Sequence, residues 1–158
     1  MTIERILVPI DGSSGAQSAL DCAIDFLPAH PAELLIVLAI EPIHLAIAGQ
    51  VTLPGENVGM IANEQQILAG QHLAKLENDL RGRNLRVRTF LERGSAEDVI
   101  LKIARKQGAD LIVMSTHART GIAHALLGSI TEKIIRSAPC PVLTVRGYVS
   151  KAKKKGRG

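Results

Sequence analysis

Residues 5–13 read RILVPIDGS, an apolar run that stops abruptly on aspartate and glycine. Six residues without polar alternation describe a strand buried on both faces, as in a parallel sheet covered on two sides. Beyond Gly12 the apolar residues recur with a helical period. Ala16, Ala19, Leu20, Ala23, Ile24 and Leu27 fall on one helical face, Ser13 or Ser14 can cap its start, and Pro28 and Pro31 close it. Strand, turn and amphipathic helix in that order are half of a βαβ unit, and the rest of the chain repeats the rhythm.

Leu34–Glu41, LLIVLAIE, is a second buried strand. Pro42–Gly59 holds proline and glycine with no clear period and reads as a long loop, a length that is often functional. A helix follows from about Met60 to Leu80, with Ile61, Leu68, Leu73, Leu76 and Leu80 on or near one stripe and Gly82 as its stop. Leu85–Glu92 alternates as a third strand. Ser95–Asp98 opens a helix as a capping-box-like start, with Asp in place of the usual Glu, and Gly108 closes it as a left-handed cap. Asp110–Thr116 is the fourth strand, a helix to Ser137 comes next, and Pro141–Arg146 is the fifth strand. Right-handed crossovers then give an α/β fold: an open, doubly wound parallel sheet with helices on both faces. In such sheets, ligands sit beyond the carboxyl ends of the strands where the strand order reverses. The candidate site residues are therefore Asp11, Ala39–Glu41 and Ser115 onward.

Composition narrows the function. The chain of 158 residues suits one domain, taken as 1–147, with 148–158 as a basic tail expected to be disordered. Five cations in the last eight residues exceed the formal charge of +4, so the rest of the chain is close to neutral, one unit negative. The tail is read as a solubilising end, with weak nucleic-acid contact as its only other use. Phe26, Phe90 and Tyr148 are the only aromatic residues, so no row of rings exists to stack bare bases. Cys22 and Cys140 have neither metal-ligand spacing nor a disulfide framework around them, which points to a reducing compartment. The N-terminus is a poor signal peptide, and the longest apolar run, Leu34–Ile40, is too short to cross a bilayer. A cytoplasmic protein is expected. The fifth strand, an apolar run at a sheet edge, invites pairing with a second copy, so a homodimer through Pro141–Arg146 is expected.

The stretch 114–133, MSTHARTGIAHALLGSITEK, carries the chemistry. Gly128-Ser129 opens a helix, and the first turn of a helix offers N–H groups and a positive dipole end to phosphate. The Ser129 and Thr131 hydroxyls and the Arg119 guanidinium are further donors. An equally good reading is a plain helix start, since Ser129-Ile-Thr-Glu132 makes a capping box unaided. Neither G-x-x-x-x-G-K-[ST] nor G-x-G-x-x-G occurs, which argues against a P-loop NTPase or a conventional dinucleotide dehydrogenase. His117 and His124 have no carboxylate or cysteine at ligand spacing, so no metal site is expected.

RILVPIDGS, STHARTG (115–121), GSITEK (128–133) and APCPVLTV (138–145) together resemble the universal stress protein family over nearly the whole chain. The resemblance implies a Rossmann-like sandwich of the adenine nucleotide alpha hydrolase type, strand order 3-2-1-4-5, and a homodimer. It also implies ATP binding through G-x2-G-x9-G-[ST], a pattern that falls here on Ser115, Ala118, Gly128 and Ser129. The last two positions match; Ser115 and Ala118 stand where the pattern has glycine. Main-chain N–H groups, which serine and alanine keep, would be the ligands there, so binding is expected at reduced affinity. By the same resemblance Pro9 and Asp11 lie by the ribose and phosphate path. Ala39 meets the adenine edge. Met114, His117, Ile130 and Thr131 flank the phosphates. The ligand implied is ATP, with AMP or ADP as alternatives and Mg²⁺ as companion. Asp11 also has a plain reading as a turn residue before glycine.

Function is thus read as an ATP-binding, dimeric stress-response switch with at most weak ATPase activity, since no general base is evident. One alternative is a dimeric interaction module of the same family that binds no nucleotide. A more distant one rests on Ser13–Ser18, which faintly resembles the SGGxDS loop of adenylating PP-loop enzymes but has Ser14 for a glycine and Gln17 for the aspartate.

Overall fold

The computed structural model describes residues 2–29, 31–42, 55–116 and 128–146. Nine elements alternate: β1 (Arg5–Ile10), α1 (Ser14–Phe26), β2 (Glu33–Ile40), α2 (Gly55–Gly82), β3 (Val87–Arg93), α3 (Ala96–Gln107), β4 (Leu111–Ser115), α4 (Ser129–Ser137) and β5 (Val142–Val145). The strands form one parallel sheet of order β3-β2-β1-β4-β5, as expected. The buried residues divide into two layers. Ile6, Val8, Leu34 and Ile36 pack with α1 and the lower half of α2. Leu7, Leu35, Val37, Ile112 and Met114 pack with α3 and α4. A strand such as β1 therefore buries both alternations, which is why its sequence shows none.

The caps explain the helix limits. Ser13 accepts the Ala16 N–H at 3.1 Å and starts α1; Ser95 accepts the Asp98 N–H at 3.2 Å and starts α3. Gly108, in the left-handed region at φ 61°, closes α3 as expected. Helix α2 stops at Gly82 as expected, but Gly82 is not its left-handed cap. Its left-handed residue is Asn84, at φ 63°, two residues after Gly82. Leu85 N–H reaches back to Leu80 O (3.2 Å) and Asn84 N–H to Arg81 O (2.9 Å), the paired bonds of a Schellman cap.

Helix α2 also begins earlier than expected. Gly55–Gly59 is helical, which cuts the expected Pro42–Gly59 loop short; residues 43–54 lie outside the described set. Its apolar stripe splits in two. Leu73 and Leu80 are buried and Leu76 partly so, whereas Ile61 and Leu68 are exposed. Length is the reason: 28 helical residues span about 42 Å, while the seven residues of β3 cover about 23 Å. The upper part of α2 overhangs the carboxyl end of the sheet.

Candidate functional site

The pairing of β1 determines where the sheet opens. With β2 it runs from Arg5↔Glu33 to Ile10↔Leu38. With β4 it holds only at Ile6↔Leu111 and Leu7↔Ile112. Two residues further on comes Pro9, which has no N–H to give to a ladder. The two central strands part there, at the point where the chain order reverses, and a crevice of about 700 Å³ lies above them. That volume is within the range of small-molecule sites.

Each wall comes from a different element. Pro9, Ile10 and Asp11 end β1, and Gly12, at φ 77°, turns the chain into α1 with a backbone that only glycine adopts without strain. Asp11 Oδ1 accepts the Ser13 N–H at 2.9 Å, so the turn reading of this residue holds while it also lines the crevice. Val37, Leu38, Ala39 and Glu41 contribute from β2 and its end, Met114 and Ser115 from β4, and Ile130 and Thr131 from α4. Seven of the expected site residues (Pro9, Asp11, Ala39, Met114, Ser115, Ile130 and Thr131) thus share one cavity. His117, Ala118 and Arg119 lie outside the described residues.

The start of α4 corrects one expectation. Its N-cap is Gly128, not Ser129, and no side chain caps it. Ser129 is already helical, so the Ser129–Glu132 capping box does not form. A glycine cap leaves the first-turn N–H groups without a local side-chain acceptor, which is the arrangement that receives an external anion. Gly128 sits at φ −58°, ψ 144°, a conformation open to any residue. Its own N–H donates to Thr116 O at 3.0 Å.

Thr131 also does something other than expected. It is 3% exposed and donates its hydroxyl to Ser115 O at 3.1 Å. Its proton is therefore engaged inside the protein, tying the end of β4 to the first turn of α4. Outside the crevice lining, the Lys133 ammonium meets Glu97 Oε2 at 2.8 Å, an ion pair between α4 and α3. The hydrogen bond to Glu97 raises the Lys133 pKa above its ordinary value. Among the described residues no three His, Cys, Asp or Glu side chains gather as metal ligands.

One wall was missed in the sequence. Gln65, Ala69 and His72 of α2 line the same crevice, as do Ala96 and Ile100 of α3. The spacing 65, 69, 72 is a helical stripe, but it is polar and small, so a search for apolar periodicity passes over it.

The universal stress protein family model matches residues 2–146. The chain belongs to the universal stress protein family. Universal stress protein MJ0531 of Methanocaldococcus jannaschii is 31% identical over 144 residues, covering 90% of this chain and 82% of that one. A universal stress protein of Thermus aquaticus is 33% identical over 143 residues, covering 90% and 98%. Among solved structures, MJ0577 superposes with a TM-score of 0.81 at 26% identity, covering 95% of this chain and 100% of the other. A universal stress protein solved in complex with cAMP gives 0.58 at 24% identity, covering 92% and 98%. In this universal stress protein the sheet order is that of the family fold. Among the described residues no helix is long and apolar enough to cross a membrane.

Proposed function

We propose that this universal stress protein binds an adenine nucleotide in the crevice, ATP in the first place, and acts as a nucleotide-dependent homodimeric switch in the cytoplasm. The observation that carries the reading is the glycine N-cap of α4, which opens beside the cavity without a side chain of its own to satisfy it. The residues present fit such a ligand. The α4 N-terminus favours phosphate, and Pro9, Asp11 and Ala39, the residues proposed to border the phosphate path and the adenine edge, all line the cavity. A universal stress protein of the same fold has been solved with cAMP, itself an adenine nucleotide, which supports the choice of ligand class. Mg²⁺ would arrive with the phosphates, which suffice to hold it without a protein cage.

Ligand binding rather than turnover is the proposed role. The described crevice offers Asp11 as its carboxylate near the phosphate end, and one of its oxygens is engaged by Ser13. Dimerisation is proposed through β5, the edge strand, where Leu143 is 37% exposed.

Two measurements test the reading. Protein purified without added ligand is heat-denatured and the supernatant chromatographed for released adenine nucleotide. ATP, ADP and AMP are then titrated calorimetrically with and without Mg²⁺. Saturable binding is expected, weaker than in relatives with the full glycine set. No release and no heat with any of them would favour the interaction module that binds no nucleotide, the reading to which Ser115 and Ala118 lend support. Robust steady-state hydrolysis would overturn the switch.

A further inference from the structure

At one end of the crevice, the α4 N-terminus presents the positive pole of a helix. Carboxylates stand at the ends of both β1 (Asp11) and β2 (Glu41), so the helix pole, rather than either carboxylate, sets the phosphate end. A bound nucleotide is thereby oriented, phosphates towards α4 and base towards β2 and the overhang of α2.

The overhang is held in a fixed rotation. Arg93, the last residue of β3, places Nε and Nη2 at 2.9 and 2.7 Å from Gln66 Oε1, and Nη2 donates to Ala62 O at 3.1 Å. Lower down, the Thr89 hydroxyl donates to Glu77 at 2.6 Å. These contacts pin the stripe 62-66-77 to β3. The adjacent stripe, 65-69-72, is thereby turned to the crevice. Residue 69 is alanine, which leaves room for a flat ring. Residue 65 is glutamine, one amide with an acceptor and two donors. His72 follows about 10 Å further down the helix, too far to read the same edge.

Resting on the nucleotide reading above, we infer that Gln65 is the specificity-determining residue of this site: its side-chain amide selects adenine over guanine, and Arg93 positions it through Gln66 and Ala62. The chemistry is that of base-edge pairing. An amide matches adenine's adjacent N6 donor and N7 acceptor, whereas guanine presents two acceptors, O6 and N7, which suit an arginine.

The test compares ATP, GTP and inorganic triphosphate by calorimetry on the full chain. The native protein prefers ATP. Gln65→Ala lowers the ATP-to-GTP preference by about fivefold or more, the lower end of the range for losing one bidentate amide–adenine pair. Gln65→Arg moves the preference towards GTP. Arg93→Ala lowers the preference as well, while triphosphate, which has no base, shows whether the phosphate end still works. Ala69→Leu weakens both nucleotides but not triphosphate. An unchanged ATP-to-GTP ratio in Gln65→Ala and Gln65→Arg, with ATP still bound, overturns this inference and leaves the proposed function standing. A native protein that binds triphosphate and neither nucleotide, or none of the three, overturns both.

Discussion

The Thr131 hydroxyl and the Ser115 carbonyl, 3.1 Å apart and sixteen residues apart in sequence, join the last residue of β4 to the first turn of α4. Thr131 is the one buried polar residue among those described, whereas Ser115 is half-buried where it lines the crevice. Replacing Thr131 with valine removes the donor and keeps the shape. Thr131→Val is expected to cost about 1 kcal/mol, the net worth of one hydrogen bond, and Thr131→Ser to restore most of it. Urea unfolding of the three proteins checks this; equal midpoints would show that the carbonyl finds water instead.

Stability and binding should move in opposite directions at Gly128. Its backbone conformation is open to any residue, so Gly128→Asp introduces no strain and supplies the side-chain cap that α4 lacks. Helix capping predicts a gain of a few tenths of a kcal/mol. The same carboxylate occupies the anion position and repels phosphate, so ATP affinity should collapse. Thermal unfolding and ATP titration of one variant read both effects. A variant that binds ATP as the native protein does would remove the α4 N-terminus from the site.

At the sheet edge, Leu143→Asp puts a charge on the exposed apolar strand β5. Sedimentation equilibrium at micromolar concentration should show a dimer for the native protein and a monomer for the variant, with unchanged far-UV dichroism. Dimers in both would place the contact elsewhere.

Asn84 makes the left-handed turn that ends α2. Asn84→Ala is expected to cost about 1 kcal/mol, because alanine lacks the local hydrogen bonding that lets asparagine tolerate positive φ. Asn84→Gly should not destabilise the fold. A reversed order in chemical unfolding would mean that the side chain, rather than the backbone, holds the cap.

The alkaline limb of the stability profile should carry the two thiols. Burial raises the pKa of Cys22, with the Asp25 charge adding to it, and burial likewise raises Cys140, with Asp110 adding. A folded thiol that keeps its proton above the ordinary value of 9.0 leaves stability intact below that pH. As pH climbs further, the unfolded chain sheds protons that the folded one retains, and stability falls. Lys133, also raised, adds a loss in the same direction above its ordinary 10.5. Unfolding free energies measured at intervals from about pH 8 to about pH 11 should decline, and the decline should flatten in a Cys22→Ala/Cys140→Ala variant. Iodoacetamide, which thiolate attacks with loss of iodide, should modify both slowly at neutral pH.

Much of this architecture is written in periodicity. β1 and β2 are legible because a strand buried on both faces has to be apolar throughout, and α1 and α3 because serine caps and a glycine stop flank amphipathic runs. The end of α2 is legible at Gly82, but its left-handed residue is not, because asparagine takes the role expected of glycine. Its start is misread because the part that overhangs the sheet has no core to face, so its residues carry no apolar rhythm. The site divides similarly. Asp11, Ala39 and Ser115 follow from where the strands end, but Gln65 and Ala69 reach the crevice only through the rotation that Arg93 imposes, a tertiary fact with no local signature. The capping box at Ser129 is a correct pattern placed one residue late, since Gly128 is held by Thr116 and takes the cap position first.

That last contact has a practical consequence. Because Gly128 N–H closes onto Thr116 O, β4 and α4 are joined main chain to main chain as well as through the Thr131 hydroxyl. Either bond can hold the junction when the other is lost, so the pole of α4 should stay aimed at the crevice in a variant that lacks the hydroxyl.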